Sequence, residues 1–268
     1  MRILRFGFAL LAVVPLAGCF QSSTLIRVKA DGSGTIEQRL LLSEQALDQL
    51  RAFTILGGGN GDNADPTTEA QARALAEVIG PGVAYVSSMP LADGKLRGRQ
   101  TTYSFADVTQ LRISEQPSVS PGGPGLKAQG INTSSDPITF ALDRRPGGNV
   151  VLRILVPRPG VFPTDPNGIP QAPTAEQIAM VKAMLAGARL TVAIEPEGRL
   201  VQTTSPFVQG NTVTLLDVDV DKAAADTSLA QKLQAAKTPD DVKAALNSTP
   251  GVKITLDPEI SVEFSPTP

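Results

Sequence analysis

Histidine is absent from this chain of 268 residues, and cysteine occurs only once. Without histidine the chain cannot build a Ser-His-Asp triad, a Cys-His dyad or a His-Glu-x-x-His zinc motif. A single thiol also cannot form a disulfide within the chain, nor by itself hold zinc or an iron–sulfur cluster. We therefore expect no metal and no cofactor, and we predict that the chain is not an enzyme.

Tryptophan is also absent, and aromatic residues make up only 4% of the chain. Apolar residues nevertheless reach 41%, so a core must be built mainly from aliphatic side chains. The formal net charge is −2. A mildly acidic chain without long basic runs is a poor match for nucleic acid, and we expect no nucleic-acid partner.

The N-terminal segment has the layout of a secretory signal peptide. Arg2 and Arg5 give it a positive start, and an apolar run extends from Phe6 to Leu16. That run is too short to span a bilayer, which takes ~20 apolar residues. The pattern predicts that residues 1–18 form a leader that is removed from the mature protein.

The end of this leader, Leu16-Ala17-Gly18-Cys19, resembles the lipobox of bacterial lipoproteins. In that family a peptidase cuts just before the cysteine, here between Gly18 and Cys19, and the thiol carries a diacylglyceryl group with acyl chains such as palmitate. The resemblance implies that Cys19 anchors the protein in a membrane of the cell envelope. Two or three acyl chains anchor firmly, whereas one chain alone is marginal. The alternative is an ordinary signal peptide with a chance cysteine.

The residue after the cysteine bears on which membrane holds the anchor. In many Gram-negative lipoproteins an acidic residue at that position favours retention at the inner membrane. This chain has Phe20 there. The resemblance therefore implies the outer membrane, on its periplasmic or surface side, rather than the inner membrane.

Alternating apolar and polar residues separated by turn residues predict several β-hairpins. Their turns are at Asp31-Gly32, Asp93-Gly94 and Gly147-Gly148. Capping residues and apolar periodicity predict amphipathic helices between groups of strands, starting after Ser43, at Pro66, at Lys222 (to Ala236) and after Thr238. This order predicts an α+β fold with a mainly antiparallel sheet built from hairpins.

The mature chain, residues 19–268, could be one domain or two lobes. The possible lobes are 20–115 and 138–265. Segments rich in proline and glycine, at 116–137 and 157–173, predict long loops or linkers. A single sheet shared by both halves is the alternative.

Beyond the lipobox the chain resembles LppM-type envelope lipoproteins. The likeness lies in the strand–turn–strand unit of Leu25 to Leu42, in Gly82 to Ile113, and in Leu190 to Val220. Proteins of that type have been associated with lipid or glycolipid binding, and they carry no catalytic signature. The resemblance implies an envelope location and a weak expectation of lipid binding.

Asp217, Asp219 and Asp221 alternate, which on a strand would place the three carboxylates on one face. Calcium prefers such oxygen ligands. An EF-hand loop, however, needs glycine at its sixth position and glutamate at its twelfth, where this chain has Lys222 and Ser228. These aspartates are therefore weak metal candidates, and the alternative is a solvated strand face.

Basic side chains on two strands could meet anionic headgroups. One predicted strand face carries Arg97 and Arg99 together with Thr101, Tyr103 and Phe105, and another strand carries Arg27 and Lys29. An ordinary solvated sheet face is the alternative interpretation.

The sequence favours a membrane-anchored envelope lipoprotein that is a non-enzymatic binding module. Its partner would be an envelope protein or a lipid, and a small ligand would be apolar or amphipathic. One alternative is an envelope hydrolase that uses only carboxylates. Another is a structural or assembly factor without a ligand, which should show an open sheet edge or an exposed apolar patch.

Overall fold

The structure, a computed structural model, describes residues 20–56, 65–113, 137–156, 186–236, 238–255 and 257–266. The predicted leader, the lipobox with Gly18 and Cys19, the predicted loop at 157–173 and all but the last residue of the one at 116–137 lie outside these ranges.

The chain opens with the predicted hairpin. Strand β1 (Phe20–Val28) pairs antiparallel with β2 (Gly34–Ser43), with Ile26 opposite Ile36. At the turn, the Asp31 carboxylate accepts hydrogen bonds from the backbone N–H and the hydroxyl of Ser33, at 2.9 and 2.7 Å. Gly32 has a φ of 92°, which a residue with a side chain rarely adopts.

Ten further strands and five helices follow in the described residues. The strands are β3 Ala84–Asp93, β4 Leu96–Phe105, β5 Thr139–Arg144, β6 Val150–Leu155, β7 Arg189–Pro196, β8 Gly198–Thr203, β9 Val208–Gln209, β10 Thr212–Asp219, β11 Val252–Ile254 and β12 Glu259–Pro266. The helices are α1 Glu44–Leu56, α2 Glu69–Ile79, α3 Val220–Ala225, α4 Leu229–Ala235 and α5 Pro239–Asn247, with a single 3₁₀ turn at Val108–Gln110.

The strands form two sheets. The larger has the order β11-β10-β7-β1-β2-β4-β3, with β9 paired to β10, and the smaller has the order β5-β6-β12-β8. Within the described residues only β1 and β7 pair in parallel. The predicted α+β class with mainly antiparallel sheet is confirmed. Because β1 pairs with β7, the possible lobes 20–115 and 138–265 share one sheet.

One hydrophobic core joins both sheets. Ile26, Ile36 and Tyr103 of the larger sheet and Leu152 and Phe264 of the smaller sheet are all buried in the same cluster. The cluster is mostly aliphatic, as the composition predicts. The smaller sheet and the central strands of the larger sheet are therefore packed against a common interior.

Helix α2 begins later than predicted. The sequence predicts a start at Pro66, but the helix begins at Glu69, with Thr68 as the N-cap accepting from the Gln71 N–H at 3.3 Å. The Asp65 carboxylate instead accepts from the N–H and hydroxyl of Thr67, at 2.8 and 2.6 Å. That local turn competes with a helical start, because short polar side chains offer the backbone an alternative hydrogen bond.

The single helix predicted from Lys222 to Ala236 is wrong. The structure has two short helices, α3 and α4, interrupted at Asp226, whose carboxylate accepts from the N–H and hydroxyl of Ser228 at 2.9 and 2.6 Å. These bonds, with one from Lys232, lower the pKa of Asp226 to about 2. Among the described helices, none is long and apolar enough to cross a membrane.

Candidate functional site

The three aspartates do not share a strand face. Strand β10 ends at Asp219, and α3 begins at Val220, so Asp221 lies on a helix. The prediction of three alternating carboxylates on one strand is therefore wrong, because the chain turns into a helix between the second and the third.

Each of these carboxylates already has a donor from the protein. The Thr191 hydroxyl donates to Asp217 at 3.3 Å, the Lys222 N–H donates to Asp219 at 3.1 Å, and the Gly187 N–H donates to Asp221 at 2.8 Å. The Lys222 bonds also lower the pKa of Asp219. In the described part of the chain, no group of three acidic, histidine or cysteine side chains is placed to hold a metal ion.

The two groups of basic side chains do not form one surface. Ile26 lies in the core, so its neighbour Arg27 points to the opposite face of the sheet. There the Arg27 guanidinium lies 3.5 Å from Glu37 and 3.6 Å from Glu195. Lys29 follows the end of β1 and is exposed. The expected joint surface of Arg27, Lys29, Arg97 and Arg99 is therefore not formed.

A small pocket lies on the other face of the larger sheet, between α2 and strands β1, β2 and β4. Its volume is about 40 Å³. Since one water takes roughly 10–15 Å³ by this measure, the pocket has room for about three waters or one small polar group. Its polar lining comes from Ser22, Gln38, Gln71, Arg99, Thr101 and Tyr103, and its apolar lining from Leu40, Pro66, Ala72 and Leu75.

Strand register explains how the pocket acquires its polar floor. Ser22 is paired with Leu40, which is paired with Arg99, and Gln38 is paired with Thr101. Paired residues on neighbouring strands project from the same face. The face that is apolar and buried farther along the strands is therefore polar at the pocket.

Arg99 is the charged group of this pocket. Its Nε donates to the Thr67 carbonyl at 2.9 Å, and its Nη1 donates to the Ser88 hydroxyl at 2.6 Å. A guanidinium carries five N–H donors. Three of them are therefore not used by any residue that the structure describes. The two bonds hold the half-buried side chain in place and leave donors for a ligand.

The acids near Arg99 are paired with other arginines. Asp65 lies 3.7 Å from the Arg51 guanidinium. Glu69 accepts from Arg73 at 2.6 Å and from the Tyr85 hydroxyl at 3.1 Å. The hydrogen bond from Arg73 is the largest cause that lowers the pKa of the Glu69 carboxyl, followed by the hydrogen bond from Tyr85 and the nearby charges of Arg73 and Arg99.

Tyr85 connects this network to the pocket. The Arg73 guanidinium lies over its ring, 4.1 Å from the ring centroid. The hydroxyl groups of Tyr85 and Ser88 are 2.7 Å apart, and Ser88 is the partner of Arg99. The network therefore fixes the hydroxyl that positions Arg99.

Tyr103 ties the floor of the pocket to α2. The side chain has no solvent exposure, and its hydroxyl donates to the Ala72 carbonyl at 2.9 Å. Burial raises the pKa of Tyr103 from 10.0 to about 12. The phenol therefore stays protonated in the folded protein over a pH range in which an exposed tyrosine ionises.

Replacing Tyr103 with phenylalanine should lower the free energy of unfolding at neutral pH by about 0.5–1.5 kcal/mol, because one hydrogen bond is lost. Between pH 10 and about 12 the unfolded wild type loses the phenolic proton while the folded protein keeps it. Wild-type stability therefore falls as pH rises, and the variant escapes that loss. Urea unfolding followed by circular dichroism should show the difference between the two proteins shrinking above pH 10. A difference that stayed constant to pH 12 would contradict the expectation.

The sequence predicted part of this site. Arg99, Thr101 and Tyr103 were placed on one strand face, and the structure brings them together. Ser22 and Gln38 were missed as contributors. For Gln38 a signal was present, because its neighbours at a spacing of two along the strand are Ile36 and Leu40, both apolar. Ser22 carries no such signal, since its neighbours at that spacing are Phe20 and Thr24.

Neither a family model nor a curated protein matches the chain. Among solved structures, it is similar to the folded domain of LppM from Mycobacterium tuberculosis, a structure determined by NMR. The identity is 11%, the likeness covers 93% of this chain and 91% of that chain, and the TM-score is 0.33. A likeness of this size does not assign the chain to a family.

Proposed function

We propose that the protein is a lipoprotein of the bacterial cell envelope, anchored through Cys19, whose domain is a non-enzymatic binding module. Its partner is a lipid or an envelope protein. The observation that carries this proposal is the lipobox-like Leu16-Ala17-Gly18-Cys19, which ends at the only cysteine of the chain. Phe20 in place of an acidic residue favours the outer membrane.

The position of β1 supports a domain held close to the membrane. The strand begins at Phe20, the residue directly after Cys19, so no linker separates anchor and fold. With a rise of about 3.3 Å per residue, Ser22 in the pocket lies about 7 Å along β1 from Phe20. A lipid on Cys19 would keep the pocket near the headgroups.

The two other functions have less support. An assembly factor would use an open sheet edge, and β3 is an edge strand with Val86 and Met89 more than half exposed. This edge is interrupted by Pro90 and by a register shift between Tyr85 and Ser87. A proline and an irregular register are both common protections of an edge strand against pairing with another chain. A carboxylate-only hydrolase would need two acids facing one cleft, and the pocket beside Arg99 has no carboxylate in its lining.

Cys19→Ser should abolish incorporation of an alkyne-tagged fatty acid supplied to growing cells, because the thiol that forms the thioether is gone. Labelling is measured by attaching a fluorophore to the alkyne after electrophoresis. The matched control adds Ser87→Cys to Cys19→Ser, which returns a thiol at an exposed position on β3. That control should remain unlabelled. Undiminished labelling of Cys19→Ser would disprove anchoring at this residue.

A further inference from the structure

We infer that the pocket beside Arg99 binds an anionic oxygen group, a phosphate or a carboxylate, of a ligand at the membrane surface. The inference deepens the proposed function and rests on it for the membrane location. The pocket chemistry itself stands on the geometry of the domain.

The first support is the unused hydrogen-bonding capacity of Arg99. Thr67 and Ser88 take two of its five N–H donors and leave Nη2 and half of Nη1 without a described partner. Glu69 interacts with Arg99 electrostatically but accepts no hydrogen bond from it, so the half-buried guanidinium has lost part of its hydration with only partial compensation. An oxyanion would accept from the unused N–H groups, since the guanidinium fork matches two oxygens of a carboxylate or a phosphate.

The second support is the charge of the pocket lining. Arg99 is the one charged side chain among the residues that line the pocket, and none of these residues is acidic. The acids of the covering segment lie outside the lining, where Asp65 pairs with Arg51 and Glu69 pairs with Arg73. Glu69 also interacts electrostatically with Arg99 from outside the pocket. An anion in the pocket would therefore meet a cation and no carboxylate of the lining.

The third support is the size and lining of the pocket. Ser22 and Gln38 add neutral donors beside Arg99 on the same face, whereas the Thr101 hydroxyl is hydrogen-bonded to Tyr103. A volume of about 40 Å³ accommodates a small polar group, whereas sites for whole drug-sized ligands take ~300–1,000 Å³. The pocket therefore holds the anionic group alone, and the remainder of the ligand lies outside it.

The test uses the two tyrosines of the chain as reporters. Tyr103 lines the pocket, Tyr85 contacts the Ser88 that holds Arg99, and no tryptophan obscures their emission. Inorganic phosphate and glycerol phosphate are titrated into the purified lipidated protein in non-ionic detergent, at constant ionic strength. We expect a saturable change in tyrosine emission.

The decisive comparison is between Arg99→Gln and Arg97→Gln. Arg97 lies on the same strand and is exposed, 3.5 Å from Glu44, so its replacement removes the same charge outside the pocket. Arg99→Gln should weaken phosphate binding roughly tenfold or more, while Arg97→Gln should leave it unchanged. If Arg99→Gln does not fold, Gln38→Met removes a lining donor at similar volume and should also weaken binding. Equal weakening by both arginine variants, or no saturation in the wild type, would overturn the inference.

A second arm separates a lipid headgroup from a soluble anion. Full-length chain carrying Cys19→Ser is floated with phosphatidylcholine vesicles that contain or lack phosphatidylglycerol. Headgroup binding predicts that Arg99→Gln, and not Arg97→Gln, removes the gain from phosphatidylglycerol. If phosphate binding saturates but Arg99→Gln does not change vesicle flotation, the ligand is a soluble anion, and the assignment of the binding site to the pocket still holds. The phosphate titration tests the pocket of the domain, whereas fatty-acid labelling tests the anchor at Cys19. A failure of one experiment therefore does not decide the other.

Discussion

Phe264→Ala should lower the free energy of unfolding by about 3–5 kcal/mol, the usual cost of removing a buried phenylalanine. Phe264 has no solvent exposure and lies on β12, opposite Val150 of β6 and Leu200 of β8. Its ring belongs to the cluster that also contains Tyr103 of the larger sheet. The loss of stability should therefore lower the unfolding midpoint of both sheets and not that of the smaller sheet alone.

Two probes can test that coupling in one urea titration. Tyr85 and Tyr103 both lie on the larger sheet, so their emission reports that sheet, whereas circular dichroism reports all strands. Phe264→Ala should move both midpoints downward together. Leu155→Ala, a truncation on the same smaller sheet at a side chain 40% exposed, is the control and should cost less than about 1 kcal/mol. An unchanged midpoint of tyrosine emission in Phe264→Ala would show that the two sheets unfold independently.

Gly98→Ala should destabilise the protein by about 3 kcal/mol or more, because the added methyl group overlaps backbone. Gly98 of β4 is paired with Leu41 of β2 and with Leu91 of β3. A Cβ at this position would lie 2.7 Å from the Leu40 carbonyl carbon and 2.9 Å from the Leu41 Cα. Relief requires β2 and β4 to separate, which breaks hydrogen bonds between these two strands.

The matched control for this substitution is Gly94→Asn at the tip of the β3–β4 hairpin. Gly94 has a φ of 57°, which asparagine tolerates, and a Cβ there meets nothing within 4 Å. The control should change stability by no more than about 0.5 kcal/mol. Thermal melts of both variants measure the effect. Comparable melting temperatures for Gly98→Ala and wild type would mean that β2 and β4 are farther apart than the structure has them.

Local chemistry explains why the hairpins could be predicted. The Asp31 carboxylate and Gly32 provide the local hydrogen bonds and the backbone conformation that their turn requires. The start of α2 differs from the prediction for an equally local reason. The Asp65 carboxylate accepts from the Thr67 N–H, and the Thr68 hydroxyl accepts from the Gln71 N–H, so two neighbouring side chains offer competing hydrogen bonds to the backbone N–H groups.

Long-range pairing explains what could not be predicted. The parallel pairing of β1 with β7 joins Thr24 to Val192, across most of the chain, and no turn residue encodes it. The pocket depends on the same kind of contact. Arg99 and Thr101 were visible as one strand face, but the helix that covers them is fixed by the bond from Tyr103 to the Ala72 carbonyl. Only the folded chain brings these residues together.

The central position of β1 has a mechanical consequence. The strand lies between β2 and β7 and is paired with both along nearly its whole length. A pull on Phe20, directed along the strand, loads the hydrogen bonds on both sides in shear, so they must fail together. A strand at the edge would instead be peeled away one bond at a time. If Cys19 carries the proposed lipid, tension from the membrane is delivered to a strand that is held by hydrogen bonds on both sides.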